Sequence, residues 1–337
     1  MRSFYNIILT NLIFPISELI TKESMYSEFI KLNKLFSNDE TKLVNIQREN
    51  LRKILKNARV NVPYYKNLNI KLINNPVEDL KSFPVIDKNT LNNFSDVLIS
   101  ENYDKNRLIK HVSSGSSGVQ STVYWTRKQQ SQNRAIQMLW WHWAGYFFGK
   151  PILQTGITPN RGFFKKLKDI ILRTKYVSAF SHSEIDIKKN LKWAKNKNSF
   201  LAGYASSIYV YSKFSKDNDM KTKFSGAISW GDKLFKHYKK TINSEFDVKI
   251  KETYASAEGL MIGAQLDLSY MYIMSPFIYL EILDDFGFEV NDGEMGHVVV
   301  TCLNAFAMPL IRYKIGDLAI KLPKNEYPKV RKLRLPL

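Results

Sequence analysis

Four serines and two glycines fill the six positions from Ser113 to Gly118, between two apolar segments. Gly115 and Gly118 allow backbone angles that other residues avoid, so successive amides can turn toward one point. Amides that point inward, with serine hydroxyls beside them, are suitable donors to phosphate oxygens. The loop is not a P-loop, because Val119 and Gln120 stand where a Gly-Lys-Ser/Thr sequence would follow. Taken alone, the pattern is a weak signal and is more typical of a Ser/Gly surface turn.

A second candidate is the sequence ETYASAEG, residues 252–259. Tyr254 stands at the end of a predicted strand, four residues before Glu258. An aromatic ring can stack on a base, and a carboxylate can bind Mg²⁺. The alternative is a strand-end tyrosine followed by a glutamate at a helix N-terminus, where the helix dipole stabilises its charge.

The third candidate is PLIRYKIGDLAI, residues 309–320. Gly316 allows a turn from which Asp317 would project, and one carboxylate can accept hydrogen bonds from both hydroxyls of a ribose. An ordinary hairpin turn with an Asp-supported backbone remains the alternative.

These stretches must be positioned by an alternating α/β chain. Apolar residues at helical spacing predict a helix over 43–60, and further helices alternate with short apolar strands between 127 and 255. Such alternation predicts parallel sheets flanked by helices. From residue 278 the pattern changes to strands and tight turns, which predicts a small antiparallel or barrel-like subdomain.

Composition limits the class of protein. The 337 residues include 50 Lys and Arg against 31 Asp and Glu, a net charge of +19. The basic residues are spread along the chain, which favours a solvated basic surface and no nucleic-acid partner, with a polyanion or an anionic membrane surface as the alternative.

Two further features concern the compartment. Cys302 is the single cysteine, so no intrachain disulfide can form, and a buried thiol in a reducing, cytoplasmic compartment is predicted. Thr10, Asn11 and Pro15 interrupt the apolar N-terminal run, which argues against a signal peptide and stable membrane insertion. A helix lying on a membrane surface is the alternative.

The order of the three stretches resembles the adenylate-forming superfamily of acyl-activating enzymes, in its phenylacetate–CoA ligase and CapK-like branch. SSGSSG is similar to the phosphate loop, YASAE to the adenine and magnesium motif, and RYKIGD to the ribose motif. Three local segments, 51–65, 83–91 and 227–246, extend the resemblance over residues 45–320. The resemblance implies the large α/β domain of that family, completed by the small β subdomain.

The resemblance also implies site residues. Glu258, Ser113 and Ser116 would act in catalysis, with Glu258 as the ligand of Mg²⁺. The residues implied to bind ATP are Ser113, Ser114, Gly115, Ser116, Ser117 and Gly118 at the phosphates, Gly231, Asp232, Tyr254, Ala255 and Ser256 around the adenine, Asp317 at the ribose, and Arg312 as the anchor of that turn. Ala255 stands where the family has glycine, and Val119 lies near the place of a family lysine.

The expected organisation is an N-terminal helical segment (1–44), an α/β adenylation core (45–277), a β-rich subdomain completing the nucleotide site (278–322) and a tail (323–337). The sequence ends before the hinge and mobile lid domain that the resemblance would lead one to expect, so only the large domain is predicted.

The implied activity is ATP-dependent activation of a small carboxylic acid to an acyl-adenylate by an AMP-forming ligase. Transfer to CoA or another thiol would follow, in surface polysaccharide or other biosynthesis. The alternative is a lidless, impaired nucleotide-binding remnant, or half of a split enzyme whose partner chain supplies the lid.

Overall fold

The computed structural model describes residues 4–113, 120–157, 162–180 and 183–337. Two compact units, each made of three separate segments, divide the chain. Unit 1 comprises Met1–Lys22, Gln137–Tyr254 and Ala264–Met271, and unit 2 comprises Glu23–Ile136, Ala255–Gly263 and Tyr272–Leu337. The four consecutive domains expected from the sequence remain a prediction.

Twelve α-helices lie in the described part of the chain: α1 (Phe4–Ile8), α2 (Phe14–Thr21), α3 (Met25–Leu35), α4 (Glu40–Asn61), α5 (Pro63–Lys66), α6 (Pro76–Lys81), α7 (Lys88–Asn93), α8 (Arg127–Trp143), α9 (Phe163–Ile171), α10 (Glu184–Lys195), α11 (Ala205–Asp217) and α12 (Lys236–Phe246).

The strands of the described residues are β1 (Ile109–Val112), β2 (Thr122–Trp125), β3 (Ile152–Gly156), β4 (Thr174–Ser178), β5 (Phe200–Tyr204), β6 (Ala227–Trp230), β7 (Lys251–Ala255), β8 (Met261–Ala264), β9 (Tyr272–Ile273), β10 (Ile278–Leu283), β11 (Met295–Cys302) and β12 (Tyr313–Ile320). Short 3₁₀ turns occur at Lys105–Arg107 and Lys324–Glu326.

Unit 1 is built on parallel strands in the order β4-β3-β5-β6-β7. Helices α9, α10, α11 and α12 connect successive strands along the chain, as parallel pairing requires. Apolar residues of α10, α11 and α12, among them Leu191, Ile208 and Ile242, pack with Leu153 and Leu201 of the sheet into one buried cluster. The predicted α/β class is therefore confirmed.

Unit 2 contains an antiparallel sheet, β10-β11-β12, and the separate hairpin β1-β2. The predicted change of pattern at residue 278 coincides with the start of β10. Helix α4 begins at the cap of Asp39, whose carboxylate accepts from the Lys42 amide at 2.8 Å. Side-chain amides of α4 hold the chain around this sheet, since Gln47 donates to the Ile278 carbonyl at 2.8 Å.

The N-terminal helix of unit 1 continues through Thr10, Asn11 and Pro15, the residues that interrupt the apolar run of the sequence. A π-helical turn, Leu9–Ile13, joins α1 to α2, and Pro15 lies in the first turn of α2. Proline has no amide to donate, and a wider turn is one way for a helix to accommodate that loss. Among the described residues, Phe4–Thr21 is one helical stretch long and apolar enough to cross a membrane, a test that buried core helices and signal sequences also pass.

Cys302 is buried in β11, as predicted. Burial raises the pKa of its thiol to about 12, so the thiol stays protonated at neutral pH. A protonated, enclosed thiol is a poor nucleophile, and Cys302 therefore acts as a small core residue.

Candidate functional site

The neck of the Ser/Gly loop lies in unit 2, where β1 and β2 pair as an antiparallel hairpin. Ser113 follows β1 and Ser121 precedes β2, and both are buried. The Ser113 amide donates to the Ser121 carbonyl at 2.9 Å, and the Ser121 amide donates to Ser113 Oγ at 2.8 Å. These two bonds close the loop at its base and fix the direction in which it leaves the hairpin.

The tip of the loop carries most of the predicted phosphate ligands. Ser114, Gly115, Ser116, Ser117 and Gly118 lie outside the residues that the structure describes. Their assignment, including Ser116 as a catalytic residue, therefore remains a prediction.

Glu258 is joined to the loop neck by a buried hydrogen-bond cluster. Ser121 Oγ donates to Glu258 Oε1 at 2.8 Å, and Tyr313 Oη donates to the same oxygen at 3.1 Å. The Ser113 and Ser121 hydroxyl oxygens lie 3.0 Å apart. Each serine hydroxyl has one proton. Since the Ser121 hydroxyl donates to Glu258, the Ser113 hydroxyl donates to Ser121 Oγ. The cluster thus joins two predicted residues, Ser113 and Glu258, across unit 2.

Tyr313 is the fourth member of the cluster and is fully buried at the start of β12. Burial, and secondarily the charge of Glu258, raises the pKa of its phenol above its usual range. Tyr313 therefore remains a neutral donor to the carboxylate at all physiological pH values. Its hydroxyl and that of Ser121 hold Glu258 in one orientation.

Glu258 stands in a tight turn between β7 and β8, not at the helix N-terminus that was its alternative interpretation. The Ser256 amide donates to the Leu260 carbonyl at 3.0 Å, and the Gly259 amide donates to the Ser256 carbonyl at 3.0 Å. Asn133 of α8 donates to the Gly259 carbonyl at 3.0 Å and supports the turn from beneath. Ala255, before the turn, is exposed.

Gly259 is required where Trp125 packs on this turn. Its φ is +81°, and a Cβ there would lie 1.7 Å from Cζ2 of Trp125. The indole in turn stacks on the ring of His111, with centroids 3.5 Å apart. Burial lowers the pKa of His111, and secondarily so does the charge of Arg134. The neck of the loop and the Glu258 turn therefore share an aromatic support.

Two buried polar atoms near this turn have no hydrogen-bond partner among the described residues. They are Ser256 Oγ and His111 Nε2. Buried polar atoms are normally paired with protein, water or ligand. Ser256 belongs to the predicted adenine set, and its orphan hydroxyl is a donor that a polar ligand could use.

Arg312 has structural partners. Its Nη2 lies 3.1 Å from Glu281 Oε1, and its Nη1 donates to the Phe83 carbonyl at 3.1 Å. Burial raises the pKa of Glu281, while the Arg312 charge opposes that shift. With a φ of +48°, Arg312 also takes a strained backbone conformation directly before β12. It anchors the start of the strand that carries Tyr313 and Asp317.

Asp317 lies inside β12, so the expected hairpin turn at Gly316 is wrong. Lys314 pairs with Val299, and Leu318 pairs with His297, so three residues of β12 lie opposite one residue of β11. Such a bulge bends a strand and redirects its side chains, and glycine tolerates the φ of +97° that Gly316 adopts. Asp317 is exposed at this bulge, as the ribose prediction requires.

The remaining predicted residues lie in unit 1 or at its edge. Asp232 caps α11, because its two carboxylate oxygens accept from the amides of Ala205 and Ser206 at 2.6 and 2.9 Å. Gly231 has a φ of +82°, and a Cβ there would lie 2.4 Å from the ring of Tyr204. The Gly231–Asp232 turn is therefore fastened to the β5–α11 junction.

Tyr254 is half-buried on β7, at the end of a parallel strand. Two residues earlier, Glu252 accepts from the Leu234 amide at 3.3 Å, and burial raises the pKa of its carboxyl. Ligands of open α/β sheets bind outside the carboxyl ends of the strands, and Tyr254 occupies such an end.

Several side chains of these arrangements had no signal in the sequence. Ser121, Asn133 and Tyr204 belong to none of the motifs that the sequence displays. In the described part of the chain, no three His, Cys, Asp or Glu side chains are grouped to hold a metal ion.

Comparison with known proteins bears on the fold. The sequence matches no protein-family model. It is 26% identical over 275 residues to protein CapK of Staphylococcus aureus, a match covering 75% of this chain and 56% of CapK. The chain thus spans little more than half the length of this relative.

Two solved structures share the fold. One is 2-hydroxyisobutyryl-CoA ligase in an open conformation with 2-HIB-AMP and CoA, with a TM-score of 0.62 and 18% identity over 81% of this chain and 68% of that one. The same ligase in its postadenylation state with R3-HIB-AMP gives a TM-score of 0.62 at 16% identity, over 81% of this chain and 62% of that one. The chain is therefore similar in sequence to CapK, and it shares the fold of these CoA-ligase structures.

Proposed function

We propose that the protein activates a carboxylic acid with ATP, forming an acyl-adenylate and pyrophosphate. The observation that carries this proposal is the buried cluster of Ser113, Ser121, Glu258 and Tyr313. It fastens a carboxylate to the neck of a loop rich in serine and glycine, within a fold shared with CoA ligases.

The proposed reaction has two steps. A carboxylate oxygen of the acid attacks the α-phosphorus of ATP, the bond from that phosphorus to the bridging oxygen breaks, and pyrophosphate leaves with its electron pair. A thiolate then attacks the acyl carbon and expels AMP, leaving a thioester. 2-Hydroxyisobutyryl-CoA ligase, whose fold this chain shares, was solved with 2-HIB-AMP and CoA, which supports CoA as the thiol acceptor.

The proposed roles follow the geometry of each unit. The loop from Ser113 to Gly118 would donate to the β- and γ-phosphates, where charge grows as pyrophosphate leaves. Glu258 would hold Mg²⁺ as a single carboxylate. Mg²⁺ commonly binds one or two carboxylates together with substrate phosphates and water, so this donor set fits the ion. When bound, the ion would neutralise phosphate charge, while Ser121 and Tyr313 keep Glu258 in place.

The other predicted residues would bind the nucleoside. The exposed Asp317 carboxylate would accept from the ribose hydroxyls, and the ring of Tyr254 would lie against the adenine. Ala255 and Ser256 would border the base through the β7–β8 turn. Gly231 and Asp232 would border it through the turn that caps α11. Arg312 would act indirectly, as the anchor of β12.

The setting of the reaction is part of this proposal. ATP and CoA are cytoplasmic metabolites, which supports a cytoplasmic location. The biosynthetic role implied by the sequence resemblance, such as acyl decoration of a surface polysaccharide, is proposed with it.

The direct test is pyrophosphate exchange into ATP over a panel of carboxylic acids. We expect exchange with at least one acid, and a loss of about 10²–10³ in rate for Glu258→Gln, because one preorganised group acting on the transition-state charge is removed. Glu28→Gln, which changes a buried glutamate of unit 2 that pairs with Lys31 outside the proposed site, is the matched control and should keep its exchange rate. Exchange that is equal in wild type and Glu258→Gln would refute the assignment of Glu258.

The ribose assignment has its own test. Calorimetry should show that Asp317→Ala weakens ATP binding about 10- to 100-fold, the value of a hydrogen bond to a charged acceptor. It should leave the affinity for 2′,3′-dideoxy-ATP unchanged, because that nucleotide lacks both hydroxyls. Asp96→Ala, which removes another exposed carboxylate, serves as the control. An equal loss for both nucleotides would reject contact with the ribose.

A further inference from the structure

The N-terminal helix of unit 1 buries a few residues and leaves many apolar ones in solvent. Tyr5 Oη donates to the Ile171 carbonyl at 2.7 Å, and the Phe14 ring meets that of Phe148 at 4.9 Å. Six other apolar side chains of Phe4–Thr21 are 46–80% exposed, namely Phe4, Ile7, Leu12, Ile16, Leu19 and Ile20. So much exposed apolar area in one helix is unusual for a surface that faces only water.

Helix α9 adds a second exposed apolar face to the same region. Phe163, Leu167 and Ile170 are 74%, 44% and 72% exposed, at the i, i+4, i+7 spacing of one helical face. The hydrogen bond from Tyr5 to the Ile171 carbonyl joins the end of α9 to α1. Lysines at 165, 166 and 168 lie among these apolar residues along α9. The helix is therefore both apolar and basic.

A basic cleft adjoins the C-terminal end of α9. It has a volume of about 420 Å³ and is lined by Arg173, Lys175, Lys197 and Trp193 together with Ile170 and one acid, Asp169. The ammonium groups of Lys175 and Lys197 lie 5.5 and 5.6 Å from the centre of the Trp193 ring. The Arg173 guanidinium lies 5.7 Å from the Tyr5 ring, which ties the cleft to the N-terminal helix.

The positive charge of the cleft favours binding of an anion. Three cations face one carboxylate, and burial lowers the pKa of Lys175, with the nearby charge of Lys189 adding to the effect. A negative group in the cleft would offset the loss of hydration that Lys175 incurs. None of these residues belongs to the proposed nucleotide site.

We propose that this face of unit 1 docks on the surface of an anionic lipid bilayer. The exposed apolar side chains of α1, α2 and α9 enter the headgroup region, and the cleft of Arg173, Lys175 and Lys197 receives a lipid phosphate. Helices that lie in the interface combine an apolar face with lysine and arginine in this manner, and their binding adds apolar burial to attraction by anionic lipids. The net charge of +19 favours the same partner.

The test is flotation of the full chain with vesicles of phosphatidylcholine, alone or with 30 mole per cent phosphatidylglycerol as the chosen composition, at physiological salt. We expect binding to the anionic vesicles and at least tenfold weaker binding to the neutral ones. Lys175→Glu/Lys197→Glu should weaken binding to anionic vesicles at least tenfold, since each basic residue near such a surface contributes several-fold.

Apolar contact is tested by Phe163→Ser/Ile170→Ser and by Leu19→Ser/Ile20→Ser. Each pair should also lower binding at least tenfold, because all four side chains are exposed and would lose their burial in lipid. The matched controls lie in unit 2: Phe286→Ser/Phe288→Ser removes two other exposed aromatic rings, and Lys56→Glu/Lys110→Glu makes the same change of charge. Both controls should bind as the wild type does.

Two results would overturn the proposal. The first is binding that is equal for neutral and anionic vesicles or unchanged by all three variants. The second is self-association: light scattering that shows a dimer, dissociated by the same apolar variants and indifferent to vesicles, would assign the face to a second copy of the chain. Calorimetric ATP binding, measured on every variant, separates these outcomes from a failure of the proposed nucleotide site.

Discussion

Replacement of Arg312 by methionine should strongly destabilise unit 2. The guanidinium contacts Glu281 through two atoms, Nη2 to Oε1 at 3.1 Å and Nε to Oε2 at 3.3 Å, and the two side chains are only 9% and 11% exposed. Methionine fills much of the same volume, but it leaves the Glu281 carboxylate buried without its cation. Breaking a buried pair on one side in this way costs about 3–5 kcal/mol of unfolding free energy.

Removing both charges should cost much less than the sum of the single changes. In Arg312→Met/Glu281→Met no charge is left uncompensated, and the main loss is the donor to the Phe83 carbonyl, about 1–3 kcal/mol. We therefore expect the two substitutions to be strongly non-additive, with a coupling free energy of about 2 kcal/mol or more.

The pH dependence of the single variant gives an independent check. Burial raises the pKa of Glu281 above its ordinary value of 4.5, and the loss of Arg312 removes the main force that opposes this rise. An acid with a raised pKa binds more protons in the folded than in the unfolded state, so its contribution to stability is present at low pH and lost as pH rises through the folded pKa. The destabilisation by Arg312→Met should therefore be smaller at pH 5 than at pH 8.

Urea unfolding followed by far-ultraviolet circular dichroism, at both pH values, measures these quantities for the wild type, the two single variants and the double variant. Additive losses, or a loss below about 1 kcal/mol for Arg312→Met, would show that the pair behaves as a solvated surface pair and would refute the reasoning.

Three other predictions concern the site. Burial lowers the pKa of His111 from 6.5, so the folded state binds fewer protons than the unfolded state below that pH and loses stability there. His111→Phe keeps a ring on Trp125 and should flatten the dependence of unfolding free energy on pH between pH 7 and 5. An unchanged slope of unfolding free energy against pH would argue against this role of His111. Asp232→Ala should lower the unfolding free energy by about 1–2 kcal/mol through loss of the α11 cap, with Asp232→Asn costing less, and a thermal-melting series in which both behave like wild type would contradict the capping role. Gly259→Ala should lower the unfolding free energy by about 2–4 kcal/mol. Gly287 also has a positive φ, +86°, but its Cβ would enter open space, so Gly287→Ala should lower it by only about 1–2 kcal/mol. Equal losses would mean that Trp125 moves aside without cost.

Local structure was predictable where neighbouring residues decide it. The helix expected over 43–60 is α4, and Asp87 caps α7 by accepting from the Thr90 amide at 2.8 Å. Apolar spacing and capping chemistry act within a few residues, so the sequence carries them directly.

The candidate site depends on contacts that the sequence does not display. Ser121 and Glu258 are 137 residues apart, and Tyr313 is 55 residues beyond Glu258, yet they share one oxygen. Asp317 illustrates a local error: its glycine predicted a turn, but pairing with β11 extended the strand and turned the glycine into a bulge. Asp232, whose place beside the adenine stays a prediction, also caps α11 through two backbone amides, a contact that the sequence does not display.

The order of the segments has a consequence for synthesis on the ribosome. The two units alternate along the chain in three segments each, so the polypeptide passes from one to the other five times. Unit 1 has all of its residues once Met271 has been made, while unit 2 still lacks β9 to β12 and, with β12, the tyrosine that holds Glu258. Domains tend to fold as units during synthesis, so a folded unit 1 would wait on the ribosome beside an unfinished unit 2. No single cut in the chain separates unit 1 from unit 2. A cut in any one linker divides at least one unit, and a cut in any of the three inner linkers divides both.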